Sequence, residues 1–137
     1  MLATAIDKPF DNDEWLFELK LDGYRAIAEM NKQKFLLYSR NGLDLGLLYP
    51  AVAAALKKMN IHAVLDGEIV VLNKEGKPDF QELQNYTISS ERPVVYYVFD
   101  ILSLKNHNLK DLPLLERITK ARYCRARRCP GRALCCS

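Results

Sequence analysis

The sequence predicts an α+β fold in which mostly antiparallel strands are combined with short helices. Segments with the two-residue alternation of strands follow one another along the chain, and segments with helical spacing lie between them. Several neighbouring strand patterns are separated only by short turns, which join antiparallel strands because a parallel pair needs a long crossover. The chain has 137 residues and no internal repeat, so it has room for one domain.

The strand predictions come from alternating or continuous apolar segments bounded by turn residues. The predicted strands are 15–21, 24–30, 34–38, 63–72 and 93–99. In the first of them, Trp15 and Phe17 alternate with Lys20 and its polar neighbours, so we expect the two sets on opposite faces. Gly23 follows this strand and can adopt the backbone angles of a sharp exit.

Three helices are predicted between and after these strands. One covers 50–59, where Pro50 suits the first turn and apolar residues recur at helical spacing. A short one extends from Asp79, a suitable N-cap, to about residue 85. A last helix is expected to begin at Pro113 and to continue into a basic C-terminal segment.

Composition divides the chain near residue 117. Residues 1–117 contain 14 basic and 17 acidic side chains, whereas residues 118–137 contain six basic and no acidic ones, together with all four cysteines. The cysteine spacing, Cys-x4-Cys-x5-Cys-Cys, lacks the second Cys-x2–4-Cys unit that such a zinc site needs. We therefore expect a domain over 1–117 and an unstructured, Arg/Cys-rich tail over 118–137. A basic arm that attracts nucleic acid remains an alternative for this tail.

Nothing in the sequence predicts a membrane or secreted protein. No segment reaches the roughly 20 apolar residues that a membrane-spanning helix needs. Asp7, Lys8 and Pro9 interrupt the N-terminus, where a secretion signal would be continuously apolar. The expected location is therefore the cytosol.

The segment from Glu18 to Arg25 carries the most informative chemistry. Lys20 lies on the polar side of a predicted strand, two residues before Asp22 and three before Gly23. A deprotonated lysine amine can attack phosphorus and form a covalent intermediate. Taken alone, a lysine and an aspartate on an exposed strand are more often simply solvated.

Four motifs resemble those of the covalent nucleotidyltransferases, which include DNA ligases, RNA ligases and mRNA capping enzymes. They occur in the order typical of that family: Glu18-x-Lys20-x-Asp22-Gly23-x-Arg25, Ser39-Arg40-Asn41-Gly42, Asp66-Gly67-Glu68 and Tyr96-Tyr97-Val98-Phe99-Asp100. Together they are most similar to ATP-dependent DNA ligases, and the N-terminus is similar to the ligase module of bacterial DNA ligase D. The resemblance implies the N-terminal part of the nucleotidyltransferase fold, the ATP-grasp-like adenylation fold of DNA ligases.

The resemblance also implies roles for individual residues. Lys20 would be the nucleophile that attacks the α-phosphate of ATP and retains AMP. Arg25 and Glu68 would bind the ribose hydroxyls, and Glu68 would also help to position a metal ion. A salt bridge between neighbouring strands is the alternative interpretation of Arg25 and Glu68.

Three further residues complete the implied nucleotide site. Glu18 would lie near the adenine edge, unless it is an ordinary solvated acid. Arg40 would contact the nucleotide or a DNA 5′-phosphate, for which its planar fork of donors is suited, or would be an ordinary turn arginine. Phe99 would stack on adenine, or would belong to the core.

The implied cofactors are ATP and Mg²⁺, and the implied partner is nicked or broken double-stranded DNA. After Lys20 is adenylated, AMP would pass to the DNA 5′-phosphate, and the 3′-hydroxyl would displace it. An RNA ligase, or a non-catalytic remnant that binds nucleotide or DNA, is the alternative.

The family pattern continues with a Glu-Gly-x-x-x-Lys strand and a Lys-x-Lys strand, and neither follows the fourth motif in this sequence. We therefore expect the chain to lack the C-terminal half of the adenylation domain and the oligonucleotide-binding domain, and to be inactive alone in sealing. A frameshift near Ile118 would account for the change in composition. The surface that the missing half would cover predicts poor solubility.

Overall fold

The computed structural model describes residues 6–18, 20–88, 91–128 and 134–136, of which 123–128 and 134–136 are described by backbone alone. Its strands are β1 (Tyr24–Met30), β2 (Phe35–Ser39), β3 (Ala63–Val71), β4 (Val94–Leu104), β5 (His107–Asn108) and β6 (Leu134–Cys136). Its helices are α1 (Leu45–Leu48), α2 (Pro50–Lys58), α3 (Phe80–Gln84) and α4 (Leu114–Arg128).

One six-stranded sheet organises these elements. The strand order is β2-β1-β3-β4-β5, with all neighbours antiparallel, and β6 lies parallel to β4. The predicted α+β class with mostly antiparallel strands and short helices is therefore confirmed. Among the described helices, none has both the length and the apolar character needed to span a membrane.

The core lies between the sheet and helices α1, α2 and α3. Ala26 and Ala28 of β1 are fully buried, and they face the buried apolar side chains of the helices, among them Val52 and Leu56 of α2. The intervening residues of β1 are more exposed, as expected when alternate side chains point to opposite faces of a sheet. We call this second surface the open face.

The predicted strand over 15–21 is wrong. Its described residues form no strand, and Trp15 and Phe17 are 61% and 59% exposed. Instead, the ring of Phe10 packs against these two side chains, with centroid distances of 5.0 Å to Trp15 and 5.6 Å to Phe17. Alternation alone does not make a strand, because a strand also requires a neighbour that pairs with its backbone.

Helix α4 crosses the predicted boundary at residue 117. It extends to Arg128, and Ile118 and Ala121 are buried at 5% and 4% exposure. Residues 118–128 are thus helical where an unstructured tail was expected. The reason is that apolar residues on one side of α4 still reach β4, even though its composition has become basic.

Candidate active site

Arg25 and Glu68 lie next to each other on the open face. They are register partners in the antiparallel pair of β1 and β3. The guanidinium of Arg25, however, pairs with Asp66: Nε donates to Oδ1 at 3.0 Å and Nη2 donates to Oδ2 at 2.6 Å. Arg25 therefore forms a cross-strand salt bridge, but its partner is Asp66 and not Glu68, with which the alternative interpretation had grouped it.

The ion pair with Asp66 fixes the guanidinium of Arg25 on the open face. Asp66 is almost buried, with its side chain 10% exposed, whereas that of Arg25 is 49% exposed. The hydrogen bond with Asp66 raises the pKa of Arg25, with further contributions from the nearby carboxylates of Glu68 and Asp100, while burial opposes the shift. Because two-point pairing fixes the plane of the guanidinium, the arginine is preorganised for a ligand.

Glu68 is half-buried beside this pair. Burial raises the pKa of its carboxyl, and the negative charges of Asp22 and Asp66 act in the same direction. The backbone N–H of Gly23 donates a hydrogen bond to it and, with Arg25, opposes the shift. Glu68 is therefore a partly desolvated acceptor that a hydroxyl donor can satisfy.

Gly23 brings the lysine motif against β3. A methyl group at this position would lie 2.3 Å from the carbonyl oxygen of Ile69 and 2.8 Å from Cγ1 of Val70, so only glycine fits. Lys20 and Glu18 precede it, both exposed and both outside regular secondary structure. The glycine of the motif thus lies directly against β3 beside Glu68, three residues after Lys20.

Phe99 lies in a β-bulge of β4. Gly67 pairs with Val98 and Asp66 pairs with Asp100, so Phe99 is the extra residue between two register partners. Val98 and Ile101 are buried on the core side. The bulge therefore places both Phe99 and Asp100 on the open face, with Phe99 half-buried rather than in the core.

Arg40 lies at the same end of the sheet. Ser39, which precedes it, is the register partner of Ala26, next to Arg25. The turn is closed by Ser39, whose Oγ accepts from the N–H of Leu43 at 3.1 Å and whose carbonyl accepts from Gly42 at 2.9 Å. Arg40 is exposed on this turn and is not in the cluster around Glu68.

Two ion pairs contain residues to which the sequence assigned no role. Asp66 holds Arg25, and Asp100 accepts from Nε of Arg117 at 2.8 Å. Their spacing in the sequence gives no indication of these partners, because the pairs form between strands and between a strand and a helix. Only the register and the bulge bring them together.

An apolar cavity lies elsewhere and does not coincide with this chemistry. It has a volume of about 640 Å³ and is lined in part by Tyr24, Tyr49, Leu83 and Tyr86. Leu83 and Tyr49 belong to the core cluster, so the cavity is on the helix side of the sheet. The charged open face is the better candidate site, because it holds the groups that can bind a phosphorylated ligand.

Comparison with known proteins shows the family that this chain is similar to. The family model for the ATP dependent DNA ligase domain matches residues 1–122. The multifunctional non-homologous end joining protein LigD of Pseudomonas aeruginosa is 38% identical over 118 residues, which are 85% of this chain and 14% of that protein. The SPbeta prophage-derived DNA ligase-like protein LigB of Bacillus subtilis is 32% identical over 123 residues, covering 87% and 44%.

Solved structures show the same fold. The ligase domain of LigD from M. tuberculosis superposes with a TM-score of 0.75 at 30% identity, covering 88% of this chain and 38% of that one. A mycobacterial DNA ligase D complexed with ATP and MES gives a TM-score of 0.71 at 32% identity, covering 87% and 38%. The chain therefore spans less than half the length of these relatives.

Proposed function

This chain belongs to the ATP-dependent DNA ligase family, and we propose on that basis that it is the part of a ligase that transfers AMP from ATP to Lys20. The observation that supports the proposal most directly is the cluster on the open face. Arg25, Glu68 and Phe99 share that face, and Gly23, three residues after Lys20, lies beside Glu68.

Lys20 is the proposed nucleophile. Its deprotonated amine attacks the α-phosphorus, so that an N–P bond forms and the P–O bond to pyrophosphate breaks. The departing pyrophosphate takes the electron pair of that bond, and the amine gives up its proton. Lys20 then carries AMP as a phosphoramidate.

The open face supplies groups that match a nucleoside. In the proposed complex Glu68 accepts from a ribose hydroxyl, and the half-exposed guanidinium of Arg25 donates to the ribose. The half-buried ring of Phe99 offers a stacking surface for adenine. Glu18 is assigned to the adenine edge, and Arg40, on its exposed turn, to the nucleotide or the DNA 5′-phosphate.

The site suits a magnesium ion that is held mainly by phosphate. Within the described parts of the chain there is no group of three or more His, Cys, Asp or Glu side chains that could hold a metal. Mg²⁺ commonly keeps several waters and takes one or two carboxylates together with substrate phosphates. Glu68 fits that single-carboxylate role, and the ion would neutralise charge on the phosphates.

For the whole protein we propose the complete ligation reaction on nicked or broken double-stranded DNA, at the bacterial nucleoid. Two relatives are named as end-joining or DNA ligase-like proteins. AMP would pass from Lys20 to a 5′-phosphate, and the 3′-hydroxyl would then displace AMP. Because this chain spans only part of such relatives, we expect it to be inactive alone in sealing.

The test is covalent labelling by ATP that carries its label on the α-phosphate, with Mg²⁺ present. We expect label on the unsubstituted chain, none on Lys20→Ala, and full label on Lys32→Ala, which removes an exposed lysine from the β1–β2 turn. ATP labelled on the γ-phosphate should give no label, because pyrophosphate leaves. Labelling of Lys20→Ala at the unsubstituted level would refute the assignment, and no label on any variant would favour a non-catalytic remnant.

A further inference from the structure

Two nearly buried carboxylates face each other across neighbouring strands. Asp66 of β3 and Asp100 of β4 are register partners, and their side chains are 10% and 15% exposed. Like charges directly opposite each other in a sheet are destabilising. Each carboxylate therefore needs a cation of its own.

The two cations reach the carboxylates from different elements. Arg25 of β1 binds Asp66 through both carboxylate oxygens, and Arg117 of α4 donates from Nε to Oδ1 of Asp100 at 2.8 Å. Arg25, Asp66, Asp100 and Arg117 thus form a line of alternating pairs from β1 to α4, which we call the charge row. It connects helix α4 to the proposed nucleotide site.

Arg117 is firmly placed at its end of the charge row. Its Nη1 donates to the carbonyl oxygens of Lys110 at 2.9 Å and of Leu112 at 3.0 Å, and its side chain is 14% exposed. The loop before α4 therefore sets the position of the guanidinium. A cation held in this way compensates Asp100 at little further entropic cost.

Asp100 in turn stabilises the bulge that contains Phe99. Its Oδ1 accepts from the backbone N–H of Ile101 at 2.8 Å, in addition to Arg117. A bulge interrupts the ladder of backbone hydrogen bonds, so a side-chain acceptor there replaces a missing partner. Arg117 and the bulge are thus joined through one carboxylate oxygen.

We infer that Arg117 is a positioning residue of the nucleotide site: it neutralises Asp100, and thereby keeps Asp66 paired with Arg25 and keeps Phe99 on the open face. Without Arg117, Asp100 would compete with Asp66 for Arg25. Asp100 is near enough to Arg25 to help raise its pKa. The effect on Arg25 does not depend on the proposed function, whereas the effect on nucleotide binding rests on it.

The first measurement is the rate at which the Arg25 Nε–H exchanges with solvent. Isotope-edited NMR monitors this rate in the chain without ATP. We expect Arg117→Met to accelerate this exchange by about tenfold, because an uncompensated buried charge weakens its neighbour. The double variant Arg117→Met/Asp100→Asn should restore slow exchange. Asparagine removes the competing charge and can still accept from Ile101.

The rescue separates positioning from packing. If Arg117 acted only by filling space, removing the charge of Asp100 would not restore Arg25. Lys120→Met, which removes an exposed charge from the same helix, should leave the exchange unchanged. Unchanged exchange in Arg117→Met, or failure of the double variant to restore it, overturns the inference. If Arg117→Met does not fold, the single variant Asp100→Asn tests the inference. Faster exchange at Arg25 in Asp100→Asn would contradict the charge row.

The second measurement is ATP affinity in the same four proteins, monitored by equilibrium titration. Arg117→Met should bind ATP about tenfold more weakly, in proportion to its faster exchange at Arg25. The double variant should recover the ATP affinity of the unsubstituted chain. If the unsubstituted chain does not bind ATP while the exchange results hold, the proposed function fails and the charge row stands. If ATP binds equally to all variants and exchange does not change, the charge row fails and the function stands.

Discussion

Gly67 shows how a single residue in a motif can be a packing requirement. A methyl group on Gly67 would lie 2.2 Å from the carbonyl oxygen of Tyr97 and 2.7 Å from Cε2 of Tyr96. The Tyr96 ring crosses this glycine, and its hydroxyl lies 2.9 Å from the carbonyl oxygen of Ala26, to which it donates. Because Gly67 has no side chain, Tyr96 of β4 can cross β3 and form this hydrogen bond with β1.

Gly67→Ala is therefore expected to destabilise the fold by about 1–3 kcal/mol, the usual cost of an extra methyl group in a packed core. Urea unfolding of both proteins measures the difference. Gly46→Ala is the matched control, since its added methyl group would meet no atom closer than 3.1 Å, the distance to Oδ1 of Asp44, the N-cap of α1. An equal loss in the two variants would mean that the Tyr96 contact is unimportant.

The residues of the candidate site differ in how far sequence alone could predict them. Lys20 and Glu68 were identified through motifs, and their roles stay predictions. Asp66 and Asp100 carry no signal of their ion pairs, because Arg25 is 41 positions from Asp66 and Arg117 is 17 positions from Asp100. Such pairs depend on strand register, which local sequence does not encode.

At the scale of elements, helix α3 shows a local signal that was sufficient to predict where a helix begins. Asp79 was predicted as its N-cap, and its Oδ1 accepts from the backbone N–H groups of Gln81 at 3.0 Å and Glu82 at 3.1 Å. The helix has only five residues. A helix this short depends strongly on its cap, because few internal hydrogen bonds oppose fraying.

Asp79→Ala should accordingly lower the free energy of unfolding by about 1 kcal/mol. Asp79→Ser keeps an oxygen that can cap the helix. It should lower the free energy of unfolding much less, so it serves as the control. Thermal or urea unfolding measures both. If serine and alanine are equally destabilising, the contribution of Asp79 comes from its charge rather than from its capping hydrogen bonds.

Strand β4 shows where local signals were insufficient. The apolar pattern predicted a strand over 93–99, whereas β4 extends from Val94 to Leu104 and contains register shifts. Strict alternation would place Asp100 in the core. A bulge at Phe99 prevents this, because it adds one residue and returns the carboxylate to the open face. At this bulge Asp100 pairs with Arg117, which belongs to another element.

At the scale of the whole molecule, a patch of apolar side chains is exposed around the helix-side cavity. Leu43, Leu47, Leu48 and Ile88 are 57%, 75%, 46% and 68% exposed. Contiguous apolar surface of this kind promotes association. We therefore predict that the chain self-associates as its concentration rises.

The double variant Leu47→Glu/Ile88→Glu should reduce this association, as measured by sedimentation at several concentrations. Gln33→Glu/Gln81→Glu introduces the same two charges at exposed polar positions that do not line the cavity, and should have a smaller effect. A chain that stays monomeric without any substitution would contradict the prediction. If both double variants reduce self-association equally, the reduction comes from the change in net charge and not from the loss of the apolar patch.

The described residues of the C-terminal segment form part of the fold. Residues 118–128 continue α4, and β6 lies beside Tyr96–Val98 of β4. The frameshift hypothesis remains a prediction, which the other reading frames of the coding DNA test. Absence of the Glu-Gly-x-x-x-Lys and Lys-x-Lys motifs from every frame would contradict it.

The sequence by itself determined the class of the fold, most strand and helix positions and the family, because periodicity, caps and motifs are local properties of the chain. The tertiary structure alone decided that the segment around Trp15 has no strand partner, that Phe99 lies in a bulge, and that Asp66 pairs with Arg25. These features depend on which distant backbones become neighbours. That choice is made by burial and hydrogen bonding over the whole sheet, and no short segment contains it.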